Sequence, residues 1–402
     1  MTRRHLVLVG AGHAQLDLLA AMRSRPLADW DASLITPQPV FSYSGMLPGI
    51  MAGSIPPADA QVPVAAIARV AGLRVHEASV VGMDAQARRL TLSNGDTVGF
   101  DLLSLDVGSS TLGLDTPGAA EYAFPMRPFV RALDLLTQLE AAMLALPRWA
   151  DVPVVIVGAG AAGVEIAFAL RERIRAAGRV PRVTLVDATA VDGLPLSGFN
   201  EQARRVAGDA LRRRDIALIS GRVTQVRADS VDVANGRASC ALPSLATAWI
   251  SGPAAHAWLA RSGLACDSRG YPLAQSTLAL NESGSIFGGG DCITLRDAVD
   301  TPKAGVYAVR MAPVLAHNVI ATARALPADQ RYVPQRDFLA LLSTGDGRAI
   351  LRWRGIALES RWAQWLKSRI DQRYLARYRT LAGLPPAELY RPPSIPPPPE
   401  LP

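Results

Sequence analysis

The chain has 402 residues, 49% of them hydrophobic and 19% charged, so it can bury a sizeable core and is neither a disordered nor a fibrous sequence. A formal net charge of +7 suits anionic partners such as a dinucleotide, an anionic lipid surface or nucleic acid, and does not choose among them. Three cysteines, Cys240, Cys266 and Cys292, form no C-x-x-C or similar close pair, which argues against a disulfide framework or a zinc site and fits a reducing compartment; no metal is expected.

Met1 to Arg4 leads straight into a strand and shows no signal peptide. His5 to Val9 (HLVLV) is a buried-strand pattern, followed by GAGHAQ and a helix over about 13–23. This is a dinucleotide-binding glycine turn with two departures: Gln15 stands at the third glycine position, and the next strand, Ala32 to Ile35, ends at Thr36 where an acid is expected. Pro37 to Gly53 (PQPVFSYSGMLPGIMAG) reads as a loop entering a short helical turn, of the kind that often lines sites. Leu73 to Gly108 reads as short alternating strands, with Asn94-Gly95 as a type I′ hairpin turn and LLSLDVGSS (Leu102 to Ser110) as a strand running into a glycine turn. A turn-rich crossover from Leu112 to Pro128 leads to a helix from Phe129 to Leu146.

A second and complete copy of the motif follows from Val154 to Asp187. The run Val154 to Val157 delivers Gly158, Gly160 and Gly163 in G-x-G-x-x-G spacing, and an Ala-rich helix pattern begins at once. Gly158 permits the tight turn, Gly160 has no Cβ to hold a pyrophosphate away, and Gly163 lets helix and strand approach. The helix N-terminus offers free N–H groups and partial positive charge to phosphates. The next strand ends at Asp187, 29 residues beyond Gly158 (187 minus 158), where a carboxylate accepts from a ribose 2′-hydroxyl and repels a 2′-phosphate, so NADH is favoured over NADPH. With Asn235-Gly236 as a further hairpin and AWISG (Ala248 to Gly252) answering LDVGS, the second half repeats the architecture of the first, and two copies imply two dinucleotides. Ser285 to Asp291 (SIFGGGD) is a short strand, three glycines and an acid, ahead of a helix over about 304–325. Asp291 could accept from a ribityl hydroxyl or simply cap a turn.

On these residues the sequence resembles the two-dinucleotide-fold flavoproteins of the pyridine nucleotide-disulfide oxidoreductase superfamily. Within it the resemblance is closest to type II NADH:quinone oxidoreductases, sulfide:quinone oxidoreductases and the flavoprotein domain fused to selenophosphate synthetase. The motifs are GAGHA at Gly10, FSYSGMLPG at Phe41, LDVGS at Leu105, GAGAAGVE at Gly158, IFGGGD at Ile286 and PKAGVYA at Pro302. The implied fold class is α/β, two Rossmann-like dinucleotide-binding domains of glutathione-reductase type with a C-terminal α+β extension. The implied domains are a discontinuous FAD-binding domain over 1–115 and 265–330, an NAD-binding domain over 116–264, a basic amphipathic region over 331–385 and a Pro-rich tail over 386–402.

The resemblance implies FAD and NADH as cofactors. FAD would be held by Gly10, Ala11, Gly12, His13, Ala14, Thr36, Val80, Gly108, Gly290, Asp291, Gly305 and Val306, and NAD by Gly158, Gly160, Ala161, Gly163, Asp187 and Gly252. Glu165 and Lys303 would act at the reacting rings, and Tyr43, Met46, Leu47 and Tyr307 would line an acceptor pocket. The implied activity is hydride transfer from NADH to FAD and electron transfer onward to a quinone-type acceptor. Two alternatives stay open: a flavoprotein of sulfur or selenium metabolism, which requires placed thiols, and a flavin redox sensor with slow turnover.

From Arg352 to Arg379, Trp362, Leu366, Ile370 and Tyr374 recur at i, i+4 spacing, widened by Trp365, Leu375 and Tyr378 and surrounded by Arg361, Lys367, Arg369, Arg373, Arg377 and Arg379. Such a helix suits the headgroup layer of an anionic membrane; docking on the body of the protein competes with that reading, and RNA binding ranks last, so no nucleic acid is expected. The location is read as cytoplasmic, peripheral at the cytoplasmic face of the membrane. Arg391 to Pro402 reads as a polyproline II-like tail.

Overall fold

The structure, a computed structural model, describes residues 3–190, 192–236 and 238–383; the Pro-rich tail lies outside the described residues. Two five-stranded sheets dominate it. The first has the order Ile286–Gly288, Leu102–Leu105, Arg4–Val9, Trp30–Ile35, Arg74–His76, every pairing parallel. The second has the order Ala123–Pro125, Ala246–Trp249, Asp151–Val157, Val180–Asp187, Ala217–Ser220, again all parallel. In each, the glycine-loop strand is central and flanked by the strand that follows its helix and by the strand that runs into the later glycine turn. The duplication read from the sequence is therefore one of sheet topology.

Continuous apolar runs explain the parallel sheets, because strands covered on both faces have no polar side to alternate with. Leu6, Leu8, Val154 and Ile156 are all fully buried. Each unit also carries a three-stranded antiparallel meander, over 80–99 in the first and 222–243 in the second. The first sheet takes strands from both ends of the chain, with the second unit between them.

Three local expectations are revised. The helix of the first unit is Leu16–Ser24, starting three residues later than the pattern suggests, because 13–15 form a turn around a buried carboxylate described below. The hairpin at Asn94-Gly95 forms, but not on a type I′ turn: only Gly95 is left-handed (φ +88°), and the loop closes by Gly95 N–H to the Leu92 carbonyl at 3.0 Å while the Asn94 amide donates to Asp96. Asp291 lies inside the 3₁₀ turn Gly290–Cys292 and does not cap a helix.

Beyond the first sheet, a three-stranded antiparallel sheet (Ala340–Ser343, Ala349–Trp353, Ile356–Ser360) leads directly into the helix Arg361–Leu381, which Ser360 caps by accepting from the Ala363 N–H at 3.0 Å. This is the expected α+β extension. Its helix presents a different face from the one the i, i+4 stripe suggests. Ala363, Lys367, Asp371, Leu375 and Tyr378 are buried, whereas Trp362, Trp365 and Ile370 are 57%, 56% and 44% exposed. Docking is fastened by polar anchors: the Tyr378 hydroxyl donates to Asp17 at 2.7 Å, and Arg377 pairs with Asp17 at 2.9 Å. No described helix is long and apolar enough to cross a membrane.

Candidate functional site

The second glycine loop has the geometry its spacing predicts. A Cβ on Gly158 (φ +108°) would lie 2.3 Å from the Ile250 carbonyl oxygen, and one on Gly163 would lie 1.9 Å from the Gly158 carbonyl oxygen. At Gly160 nothing lies within 4 Å, so this residue faces open space, and the helix Ala161–Ala176 begins there with no side chain capping it. Its first N–H groups are left for an anion. The Asp187 carboxylate accepts from the Ala159 N–H at 2.5 Å and from the Thr189 N–H at 2.6 Å, which fixes it at the rim of the loop. Gly252 is left-handed (φ +123°), with no atom near its Cβ position.

The first loop is built differently at the same place. Gln15, in the third glycine position, is fully buried and donates its amide to the Val9 and Gly10 carbonyls at 2.8 and 2.9 Å, so a side-chain clamp does the work of close packing. The carboxylate of Asp106, only 3% exposed, accepts from the Gln15 N–H at 2.9 Å. Burial pushes the Asp106 carboxyl up to about 7, against the Gln15 and Ala14 N–H groups. The Thr36 hydroxyl closes its own turn, donating to the Gln38 carbonyl at 3.0 Å. Val80 opens the strand Val80–Asp84 of the first meander.

Around this loop the structure brings together several of the residues expected to hold FAD. Gly10, Ala11, Gly12, His13 and Ala14 form the turn; a Cβ on Gly290 would lie 2.7 Å from Asp106, and one on Gly305 would lie 3.5 Å from the His13 ring. The N-terminus of the helix Gly305–Ala323, with Val306 in its first turn, therefore faces the loop. Gly108 (φ +65°) borders open space. Asp291 pairs with Arg127 at 3.1 Å, and Arg127 also donates to Ser109. Burial raises the Asp291 carboxyl, countered by Arg127 and Lys303. Lys303 donates to the Ile293 carbonyl and to Thr294 at 3.0 Å, lies 4.3 Å from the Tyr271 ring centroid, and is pulled down by burial to about 8. A glycine turn open at Gly108, with the Asp291 carboxylate joined to Ser109 through Arg127, fits a dinucleotide.

A third cluster joins the two units to the C-terminal helix. Glu165, in the helix after the second glycine loop, accepts from the Ser343 N–H at 2.8 Å and lies 4.0 Å from the Lys367 ammonium. Lys367 donates to Asp371 at 3.1 Å and to the Gly45 carbonyl at 2.7 Å; the Tyr43 hydroxyl donates to the other Asp371 oxygen at 2.9 Å. Burial pushes Glu165 up to about 7, against Lys367 and the Ser343 N–H. Burial works against the Lys367 ammonium as well, but the carboxylates of Asp371 and Glu165 outweigh it and hold the charge in place. Lys367 thus contacts Asp371 directly, and Glu165 is the acid that burial inclines to hold a proton.

The rings of His13, Phe41, Tyr43 and Tyr374 pack edge to face or tilted, with centroids 4.8 to 5.9 Å apart, and connect this cluster to the first glycine loop. Burial pulls His13 down to about 4, so its imidazole is neutral. Beside the cluster a narrow cleft of about 30 Å³ is lined by Met46, Ser343, Gln364, Lys367 and Asp371 among others.

Of the four acceptor-pocket residues, Met46 lines this cleft and Tyr43 reaches it through Asp371. Leu47 is buried in the core, and Tyr307 packs on Phe338 with ring centroids 5.8 Å apart. Lys303 belongs to the Asp291 cluster, away from Glu165. Sequence reasoning passed over Asp106, Arg127 and Asp371, and set Lys367 among the basic residues around the apolar stripe, whereas it is buried. The usable signals were an acid ending the apolar strand LLSL, and a Lys-x-x-x-Asp pair on the helix face of Ala363 and Leu375.

Residues 4–322 match the family model of the pyridine nucleotide-disulphide oxidoreductases. The chain belongs to that family. An NADH dehydrogenase-like protein of Mycobacterium tuberculosis is 28% identical over 242 residues, 59% of this chain and 59% of that protein. The mitochondrial external NADH-ubiquinone oxidoreductase 2 of Saccharomyces cerevisiae is 24% identical over 243 residues, 54% of this chain and 44% of that protein. The aligned part thus spans about three-fifths of the mycobacterial relative and less than half of the yeast one. Among solved structures, sulfide:quinone oxidoreductase from Aquifex aeolicus superposes with a TM-score of 0.76 at 19% identity, covering 94% of this chain and 92% of that one. NDH2 from Plasmodium falciparum in complex with NADH gives 0.73 at 14% identity, covering 95% and 97%. The expected family and the two-Rossmann fold class are both borne out.

Proposed function

We propose that the chain is an FAD-dependent NADH oxidoreductase that hands electrons to a quinone-type acceptor, working at an anionic membrane surface. The observation that carries this reading is the pair of glycine loops, each at the carboxyl end of its own parallel sheet, in one family member. Bound at the first loop, FAD would supply the hydride-accepting, two-electron chemistry that NADH oxidation requires. The domain boundaries 1–115 with 265–330, 116–264 and 331–385 are proposed with it.

The chain's own groups have separable tasks. Gly158, Gly160, Ala161, Gly163 and Gly252 admit the NADH phosphates, and Asp187 holds the ribose. Gly10, Gly12, Gly290 and Asp291 cradle FAD, with Lys303 and the helix at Gly305 supplying positive potential. Glu165, poised near neutral pH behind the cleft, holds the proton that a two-electron acceptor takes up, and Lys367 with Asp371 fixes its position. Met46 and Tyr43 border the acceptor.

Thiol chemistry is disfavoured at Cys266 and Cys292, while the third cysteine, Cys240, is exposed on the second meander. Burial pushes the Cys292 thiol up to about 12 and raises that of Cys266, so neither is a ready nucleophile. This supports a diffusible acceptor over sulfide or selenide. Adding NADH without oxygen should bleach the flavin absorbance, and a short-chain quinone should restore it within the turnover time. No bleaching would reject the dehydrogenase reading; bleaching with slow restoration by every quinone would reject the acceptor.

Two further results are expected. Asp187→Ala should narrow the ratio of kcat/KM for NADH over NADPH by about ten-fold or more, since a charged hydrogen bond to the ribose is lost along with the repulsion of a 2′-phosphate; an unchanged ratio removes Asp187 from the ribose. The exposed Trp362 and Trp365, flanked by the exposed Arg361 and Arg369, supply an amphipathic face for the headgroup layer. Trp362→Ser with Trp365→Ser should weaken co-sedimentation with anionic vesicles about ten- to hundred-fold, while turnover with a water-soluble acceptor is retained. Equal vesicle binding would assign that face to another contact.

A further inference from the structure

The two glycine loops are built on one plan and, besides Gln15 for Gly163 and Thr36 for Asp187, differ at one residue packed against the loop from the neighbouring strand end. In the second unit, the N–H of Ile250 donates to the Val157 carbonyl, and the Ile250 carbonyl oxygen is what a Cβ on Gly158 would strike. In the first unit, the N–H of Asp106 donates to the Val9 carbonyl, and the Asp106 carbonyl oxygen is what a Cβ on Gly10 would strike. Asp106 and Ile250 are therefore structural counterparts. Where the second unit has an aliphatic side chain, the first has a carboxylate, and it points into the loop: a Cβ on Gly12 would lie 2.5 Å from one of its oxygens and 2.7 Å from the other. That carboxylate takes the Gln15 N–H that an incoming phosphate would otherwise share.

Its surroundings do not neutralise it. The 3₁₀ turn brings Asp291, a second acid, and the Cys292 thiol, which stays protonated at neutral pH. The C-terminal helix brings Tyr374, whose phenol burial raises further. His13, in the loop itself, is neutral, and Arg127 is engaged by Asp291 and Ser109. No ion pair among the described residues includes Asp106.

We propose that Asp106 makes FAD retention proton-linked: the first loop binds the FAD pyrophosphate with Asp106 protonated, taking up one proton per FAD when the carboxylate starts ionised. This rests on reading the first loop as the FAD site. An ionised carboxylate repels a phosphate across the loop, whereas a neutral carboxyl can donate its O–H to a phosphate oxygen. With the carboxyl near 7 before FAD binds, affinity falls about ten-fold per pH unit above neutrality and levels off below it. The NAD loop, with Ile250 at this position, has no such slope.

The test is FAD dissociation from the full-length holoprotein, read by flavin fluorescence on dilution between pH 6 and 9, for wild type and Asp106→Asn. The asparagine keeps an acceptor for the Gln15 N–H and cannot ionise. Above pH 7 the affinity of wild type should fall more steeply than that of the variant, by about ten-fold per pH unit. Lys303 also titrates near 8, but it is intact in the variant, so its share of any slope survives there. Parallel slopes in the two proteins overturn the proposal. Should the variant not fold, calorimetry of FAD binding to wild-type protein in two buffers of different ionisation enthalpy counts the protons: about one per FAD at pH 8 supports it, and none overturns it. Protein that takes up no FAD at any pH would instead remove the FAD reading of this loop.

Discussion

Lys367→Met is expected to destabilise the protein by about 3–5 kcal/mol, read from the denaturant midpoint, because it leaves two buried acids facing each other without their cation. The Lys367 side chain is 11% exposed, and its ammonium lies 3.1 Å from Asp371 and 4.0 Å from Glu165 and donates to the Gly45 carbonyl. Neither acid can turn to water, since their side chains are 10% and 13% exposed. Replacing both partners, Lys367→Met with Asp371→Leu, should recover most of the loss, because the ion pair goes as a unit and the one acid left, Glu165, is inclined by burial to keep its proton. A double variant as unstable as the single one would mean that the cost is lost packing.

The same cluster sets a pH dependence. Glu165 is held up to about 7 in the folded chain, above its ordinary value, so the folded state binds the proton more tightly than the unfolded one. Stability from this group is therefore present at low pH and falls as pH rises between about 4.5 and 7. Glu165→Gln should flatten that decline, and an unchanged pH profile would show that the carboxyl is ionised throughout.

The second large effect separates two glycines of one motif. Gly163→Ala should destabilise the fold by about 3 kcal/mol or more, since its methyl would meet the Gly158 carbonyl oxygen at 1.9 Å and the backbone must move apart. Gly160→Ala meets no atom within 4 Å and carries a φ of −69°, so stability should change by less than about 1 kcal/mol. Affinity for NADH should nevertheless fall at least ten-fold, because the methyl stands where the pyrophosphate must approach. Thermal melts with NADH titrations distinguish the two, and a Gly160→Ala protein that binds NADH normally would remove this loop from the dinucleotide.

Much of the architecture was legible because it is written in short-range pattern. Val154 to Val157 ahead of Gly158 announces a strand and turn within ten residues, and the hairpin residues Asn94 and Gly95 announce a reversal. The turn type at Asn94 was misjudged because the Asn94 amide found Asp96 and kept the residue out of the left-handed region. The C-terminal stripe was misassigned for a related reason: apolar spacing identifies an amphipathic helix without saying which face meets the protein. Here an ion pair and two tyrosine hydroxyls dock it, and Trp362 and Trp365 are left outside.

The amino-acid sequence determined alone that two glycine turns follow two buried strands, that the pattern is duplicated, and that a basic aromatic helix closes the chain, because helix and strand periods and glycine conformations are local properties. Only tertiary structure decided which groups share a site. Asp106 meets Gln15 across 91 residues and Asp371 meets Tyr43 across 328, and such pairs exist only once sheets and helices have brought distant segments within hydrogen-bond reach. Burial then changes their chemistry, since a carboxyl removed from water and left beside another acid keeps a proton that no sequence pattern records.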